Sequence, residues 1–383
     1  MQLVAYGAQD VYLTADPTIT FWKAIYRRHT NFAMESMSQT LSGTPNFGNR
    51  VVCRVSRNGD LLHRCYVRCV LPTLNASSDY VNRVGFALLK SVELRVGGQM
   101  IDRHYSTWMH IWSELTHTTD QKALLTKLVG ETGVDGAAAA TATTGLTLNV
   151  PLLFSFCRNP GLSLPLIALQ YHEVELWIEF ETLANCTQAT APTSSLSLSN
   201  VELWADYIFL DTEERKEFAQ KPHEYLIEVT QNQEATVTGT TNNSVRLTFN
   251  HPTKFVTWAI RVPSPSGDDF TDFTNGTLSN VKEAKLRLNG QDRFAARDST
   301  YFNYVQPYQH FECKPDLGIN VYSFALKPAE HQPSGSCNLS RIDNVNLEVT
   351  PVAGFDTGDL FVYAFSYNVF RVASGMGGLA YSN

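Results

Sequence analysis

Leu94-Arg95-Val96-Gly97-Gly98-Gln99 returns later in the chain as Leu286-Arg287-Leu288-Asn289-Gly290-Gln291, with four of the six positions identical. Each copy places Gly-Gly or Asn-Gly between alternating apolar and polar residues. A two-residue type I′ turn needs positive φ at both central positions, which Gly and Asn reach cheaply, so each copy predicts a tight β-hairpin. Two further pairs follow in the same order. Asn159-Pro160-Gly161 and Gln332-Pro333-Ser334-Gly335 each precede a strand-like run, and Ala205-Asp206-Tyr207-Ile208-Phe209 is similar to Phe365-Ser366-Tyr367-Asn368-Val369. The separation between partners shrinks along the chain while their order is kept. Two tandem copies of one β-fold, the second with shorter connections, give that pattern.

Strand signals dominate the rest. In Glu173-Val174-Glu175-Leu176-Trp177-Ile178-Glu179-Phe180-Glu181 the apolar side chains Val174, Leu176, Ile178 and Phe180 point one way and the glutamates the other, a strand with one dry face. Leu61, Cys65, Val67, Cys69 and Leu71 form a similar face, and Phe361, Tyr363, Phe365, Tyr367 and Val369 an aromatic one. Helix signals are few. Asp211 to Gln220 reads as a helix with Asp211 as cap, Glu214 completing a capping box and Pro222 stopping it. Ser106–Leu115 and Asp120–Val129 read as helical segments in one long connection. Gly130–Thr147, Asn185–Asn200, Gln231–Ser244 and Ser264–Asn280 are small and polar and read as surface loops. A chain of 383 residues exceeds what one core normally organises. The expected division is an arm over residues 1–32, a first all-β unit over 33–210, a helical linker over 211–224 and a second all-β unit over 225–383. Composition leaves sandwiches and jelly rolls both open.

The net charge is −7 and no run of Lys or Arg resembles a genome-binding arm, so direct nucleic-acid binding is not expected. The N-terminus lacks a basic and then apolar leader, and no apolar run approaches the roughly 20 residues that span a bilayer, which predicts cytosolic synthesis. The seven cysteines are irregularly spaced and are expected to be free thiols. His63, Cys65 and Cys69 share one strand face, but zinc needs a second pair of ligands that the sequence does not supply. His104, His110 and His117 flank Trp108 and Trp112 with no metal-binding spacing, and no nucleophile elbow or phosphate loop occurs. Catalytic, cofactor and metal residues are therefore all expected to be absent. Phe21-Trp22-Lys23-Ala24-Ile25-Tyr26-Arg27-Arg28-His29 mixes bulky aromatics with a basic cluster. It fits either a first strand with a basic side or an arm that meets a partner protein or an anionic lipid surface, with Phe21, Trp22, Lys23, Tyr26, Arg27 and Arg28 as the contact residues.

Several longer motifs carry a family resemblance. They include Leu3-Val4-Ala5-Tyr6-Gly7-Ala8-Gln9-Asp10-Val11-Tyr12-Leu13-Thr14, Tyr26-Arg27-Arg28-His29-Thr30-Asn31-Phe32-Ala33, Phe156-Cys157-Arg158-Asn159-Pro160-Gly161, Tyr322-Ser323-Phe324-Ala325-Leu326-Lys327-Pro328 and the closing Ser374-Gly375-Met376-Gly377-Gly378-Leu379. Nearly end to end, the chain resembles the major capsid proteins of nucleocytoplasmic large DNA viruses such as phycodnaviruses, iridoviruses and their giant relatives. The resemblance implies an all-β chain of two tandem jelly-roll domains, each an eight-stranded β-sandwich, joined by a short helical linker. It implies homotrimers that act as pseudo-hexagonal capsomers of an icosahedral shell, beside minor capsid and penton proteins and over an internal viral membrane, and no enzyme activity. The rivals are a carbohydrate-binding jelly roll, which glycan binding would support, and a metal-dependent β-barrel enzyme, which stoichiometric zinc or iron would support.

Overall fold

The computed structural model describes residues 4–19, 21–22, 24, 26–74, 80–130, 146–187, 196–262, 270–276 and 278–381. Alternating apolar residues build two β-sandwiches in tandem, each of eight principal strands. The first contains β1 (Phe32–Gln39), β2 (Arg50–Arg54), β3 (Leu61–Val70), β4 (Leu89–Val96), β5 (Gln99–Tyr105), β6 (Thr147–Pro151), β7 (Val174–Phe180) and β8 (Ser199–Leu210). The second contains β9 (His223–Thr238), β10 (Asn243–Leu247), β11 (Pro252–Arg261), β12 (Val281–Leu288), β13 (Gln291–Asp292), β14 (Asn320–Ser323), β15 (Val345–Pro351) and β16 (Thr357–Ala373).

The sheets of the first sandwich run β1-β8-β3-β6 and β2-β7-β4-β5; those of the second run β9-β16-β11-β14 and β10-β15-β12-β13. Every strand of the second sandwich thus takes the place of the strand eight before it. All the pairings within these four sheets are antiparallel, as in a jelly roll.

The repeated motifs fall at equivalent places. Val96 pairs with Gln99 around Gly97 (φ +57°) and Gly98 (φ +82°), and Leu288 pairs with Gln291 around Asn289 (φ +51°) and Gly290 (φ +77°). Both turns have the expected doubly left-handed form. The two proline-containing motifs each lead into a short strand, Leu164–Pro165 added to β3 and Cys337–Asn338 added to β11, again in equivalent connections. The third pair lies on the equivalent strands β8 and β16, but the faces differ. Ala205 sits between Trp204 and Asp206, both part-exposed, and points into its own sandwich, whereas Phe365 points outward. The sequence match is therefore out of register with the structural one.

The first turn has a neighbour that the second lacks. A Cβ added at Gly97 would lie 2.3 Å from Nδ1 of His172, whose ring is held by the backbone of Gly377, whereas one added at Gly290 meets open space. Gly290→Ala is expected to cost about 1–2 kcal/mol, the price of the left-handed backbone alone. Gly97→Ala should cost about 2–5 kcal/mol, because overpacking adds about 1–3 kcal/mol. Urea titration of the two variants against the parent would measure both, and equal losses would contradict the clash.

Helices α1 (Ser106–Thr116) and α2 (Thr119–Val129) fill the β5–β6 connection where expected, α2 opening on a capping box between Thr118 and Gln121. Helix α3 (Thr212–Gln220) joins β8 to β9, but the Asp211 side chain makes no capping bond, contrary to expectation. A different acid holds this end. Asp60, buried, accepts the Leu210 amide at 2.9 Å with one oxygen and pairs with Arg215 Nε at 3.0 Å with the other.

The loop expected over Gln231–Ser244 is instead mostly strand, because β9 pairs residue for residue with β16 as far as Thr238. Its polar composition has a physical reason. The Gln231 amide donates to the Asn250 carbonyl at 2.7 Å and accepts from the Asn250 N–H at 2.8 Å. Gln233 likewise donates to the Arg246 carbonyl and accepts from the Thr248 N–H. Two side chains stand in for a ladder along this edge of the sheet.

Candidate assembly surfaces

One continuous buried cluster joins the two sandwiches. A helix buried on every side needs cover from more than one neighbour, and its polar residues need partners. In α1 all residues from Thr107 to Leu115 are buried. Trp108 lies with its ring centroid 5.4 Å from that of Tyr363, 5.7 Å from Phe365 and 6.3 Å from Phe255, and Trp112 lies 4.8 Å from Phe365. The aromatic face of β16 therefore packs against the first sandwich's helix, while Leu360, Val362 and Ala364 on its other face fill the second sandwich's own core.

Charge is buried at the same junction. Glu228 of β9 pairs with Lys254 of β11 at 2.5 Å and with Arg158 of the first sandwich at 3.1 Å. Lys254 is wholly buried, and its ammonium also donates to the Glu330 carbonyl. Burial pulls the Lys254 pKa down against the opposing pull of Glu228. The Arg158 guanidinium lies 4.6 Å from the Trp112 ring. Glu114 of α1 holds Arg83 at 2.5 Å and Lys122 at 2.5 Å, and Lys122 donates to the Lys314 carbonyl of the second sandwich. Burial, followed by the nearby Arg83, lowers the His110 pKa to about 3, so the ring is neutral. Arg158, Glu228 and Lys254 form a buried ion cluster at the junction that the sequence reading did not single out. The signal within reach was the pair Trp108 and Trp112, one turn apart on α1.

Residues expected to be without chemistry have visible structural partners. His63 Nδ1 lies 2.8 Å from the Phe156 carbonyl, and His104 stacks on Phe154 with its Nε2 2.9 Å from Asp102. His117 Nδ1 lies 3.1 Å from the Ser113 carbonyl. Among the described residues no group of three or more His, Cys, Asp or Glu is placed to hold a metal. The outward glutamates of β7 face bases: Glu175 pairs with Arg54 at 3.2 Å and Glu179 with Lys90 at 2.8 Å. Trp177, between them on β7, is flanked by the guanidinium groups of Arg50 and Arg95, 4.4 and 4.2 Å from its ring centroid.

All seven cysteines are free in the structure; Cys53, Cys65, Cys69, Cys157 and Cys186 are buried, and Cys313 and Cys337 are partly exposed. Burial raises the Cys53 and Cys69 thiols to about 12. Iodoacetamide at neutral pH should therefore add at most two groups to the native protein, at Cys313 and Cys337, and seven after unfolding without reductant. Intact-mass measurement decides it; a buried cysteine that alkylates natively, or a missing pair after unfolding, would contradict this placement.

The contact segment expected near the N-terminus lies in the open. Phe21 and Trp22 are each 90% exposed and Tyr26 85%, and Arg27 and Arg28 are exposed too. Lys23 lies outside the described residues.

Comparison with known proteins agrees with the two-sandwich plan. Residues 20–211 match the family described as "Major capsid protein N-terminus", and residues 214–378 match "Large eukaryotic DNA virus major capsid protein". The chain is 48% identical to the major capsid protein of Pyramimonas orientalis virus, over all of this chain and 99% of the relative. It is 42% identical to that of Paramecium bursaria Chlorella virus 1, with the same coverage. The crystal structure of PBCV-1 VP54 superposes with a TM-score of 0.86 at 37% identity, covering 95% of this chain and all of that one. The Faustovirus major capsid protein shares the fold, with a TM-score of 0.78 at 14% identity over 96% of this chain and 94% of that one. On its sheet order, its repeat and these full-length matches, this chain belongs to the major capsid protein family of large eukaryotic DNA viruses.

Proposed function

We propose that three copies of this chain form one near-hexagonal capsomer. The observation that carries the reading is the strand-for-strand equivalence of the two sandwiches. A hexagonal tile needs six similar sides; one chain supplies two and three chains supply six from a single gene product. Closed cyclic symmetry also leaves no open interface to grow fibres. In this reading residues 33–210 and 225–383 are the two sides that one chain supplies, 211–224 the helical linker between them, and residues 1–32 an arm on the inner side of the shell. The exposed Phe21, Trp22, Tyr26, Arg27 and Arg28, with Lys23 beside them in sequence, suit an arm that meets minor capsid proteins or the internal membrane, whose anionic surface matches their charge. Penton proteins complete the shell at its vertices. The protein is made in the host cytoplasm and acts by assembly, without catalysis, cofactor or direct contact with nucleic acid.

Light scattering of protein recovered intact from particles tests the trimer. Three copies of 42.8 kDa give about 128 kDa, and this mass should persist on dilution. A monodisperse monomer or dimer overturns the reading. Removing residues 1–31 should leave both sandwiches folded but stop shell assembly. A truncated chain that does not fold would make the arm part of the core.

A further inference from the structure

We propose that the hairpin following β16 is a clasp that fixes the angle between the two sandwiches of one chain, and that it must be closed for the chain to join a trimer. The inference deepens the trimer reading and rests on it. Strand β16 ends at Ala373, turns through Ser374 (φ +53°) and Gly375 (φ +79°) and returns as β17 (Met376–Leu379), with Val372 opposite Gly377 and Phe370 opposite Leu379. Strand β17 extends a sheet of the second sandwich, yet turn and strand also bond to the first. The Tyr171 N–H donates to the Gly375 carbonyl at 2.9 Å, and the Leu379 N–H donates to Gln99 Oε1 at 3.2 Å. Between them, His172 Nδ1 lies 2.9 Å from the Gly377 carbonyl oxygen and 3.2 Å from its amide nitrogen.

The hairpin is glycine where it meets the first sandwich. A Cβ at Gly375 would come within 2.6 Å of the Tyr171 ring, one at Gly377 within 2.6 Å of Leu169 and one at Gly378 within 2.8 Å of Gln99 Oε1. The receiving surface is braced from behind, because Arg57 donates to the Gln170 and His172 carbonyls at 3.0 and 3.3 Å. Gly97 leaves the space that the His172 ring fills, whereas a Cβ on Gly290, at the equivalent turn of the second sandwich, meets open space. The difference between the two turns thus has a cause: the first is part of a socket, and the second receives nothing.

The equivalent strands β8 and β16 therefore hand over to opposite kinds of crossing. Strand β8 leads into α3, which crosses to the second sandwich as covalent chain; β16 leads into a hairpin that crosses back by hydrogen bonds. Between the crossings lies a cleft of about 570 Å³, walled by Gln170 and Tyr171, by Gln220 and Lys221 at the end of α3, and by Ser374 and Gly375. The aromatic packing at α1 holds the sandwiches together but is non-directional. Hydrogen bonds weaken steeply with angle, so crossings on both sides of a cleft set how one sandwich is turned against the other. Three chains close a ring only if each holds its two sandwiches at the angle the ring requires. A chain free to pivot loses that freedom on assembly, and the loss weakens the trimer.

A chain ending at Ala373 tests the clasp, beside Gly377→Val, which keeps the length but fills the space against Leu169. Met376→Ala is the control, since its side chain lies on the same hairpin and is 51% exposed. Two quantities are read: hydrogen exchange at the Tyr171 amide, and the concentration at which the trimer dissociates in light scattering. Both test variants should still melt cooperatively. Their Tyr171 amide should exchange at least about tenfold faster, and their trimers should dissociate at a concentration at least about tenfold higher. Met376→Ala should match the parent in both. Variant trimers as tight as the parent's overturn the assembly role while the trimer stands, and unchanged exchange at Tyr171 overturns the clasp itself. If both test variants fail to fold, the hairpin is part of the core, which overturns the clasp too. A parent protein that is monomeric at every concentration overturns the trimer reading and the assembly role together.

Discussion

Glu228→Gln is expected to lower the stability of the folded chain by about 3–5 kcal/mol, the usual cost of breaking a buried ion pair by removing one partner. Glu228 is the shared anion of two cations from different elements, Lys254 at 2.5 Å and Arg158 at 3.1 Å. Lys254 has no exposed surface, so water cannot replace the lost carboxylate. The Glu330 carbonyl remains as a hydrogen-bond acceptor but brings no charge. Denaturant titration would read the loss. Adding Lys254→Met to Glu228→Gln should recover part of it, since that removes the buried ammonium the lost carboxylate leaves unpaired, while Arg158 still lacks its partner. A single-variant loss below about 1 kcal/mol would show that solvent reaches Lys254.

The second large effect should come from the helix between the sandwiches. Trp108→Ala is expected to cost about 3–5 kcal/mol, as large aromatic truncations in packed interiors do. The ring meets Phe255, Tyr363 and Phe365 of the second sandwich, so the cavity opens at the junction and not inside either core. Each sandwich keeps its own sheets. Calorimetry should accordingly show the unfolding of the two sandwiches separating into two transitions, where tight coupling in the parent gives one. Trp22→Ala is the control: its side chain is 90% exposed, and the change should stay within about 0.5 kcal/mol. A single unshifted transition for Trp108→Ala would mean that the junction contributes nothing to coupling.

What could be read in the sequence depended on how local its cause was. The two hairpins were legible because Gly97-Gly98 and Asn289-Gly290 meet a backbone requirement inside four residues. The alternation of β7 was legible because one face of that strand is buried by its own sandwich, from Val174 to Phe180. Strand β9 beyond Thr230 was misread as loop because its polar amides bond to backbone of the neighbouring β10–β11 segment, a distant cause that composition does not encode. The aromatic face of β16 was visible, but its cover, α1, lies roughly 250 residues earlier, and only the third dimension brings them together. Asp211 carried a capping signature that the structure does not use, because buried Asp60 anchors the same end of the helix. The segment from Phe21 to His29 stood out because it mixes bulky aromatics with bases, and its described residues are exposed.

The position of β8 and β16 in their sheets has a consequence for how the chain is made. Each is the last principal strand of its sandwich, yet each lies between two others, β8 between β1 and β3 and β16 between β9 and β11. Neither sandwich can close until its final strand has left the ribosome. Helix α1 emerges early with Trp108, Ile111 and Trp112 on its surface, and the face that covers Trp108 and Trp112 arrives about 250 residues later, roughly 12–50 s at ~5–20 residues per second. During that interval the nascent first half shows water a stripe of tryptophan that the finished protein never does. Until β16 arrives, that stripe is a site at which nascent chains can associate off the folding pathway.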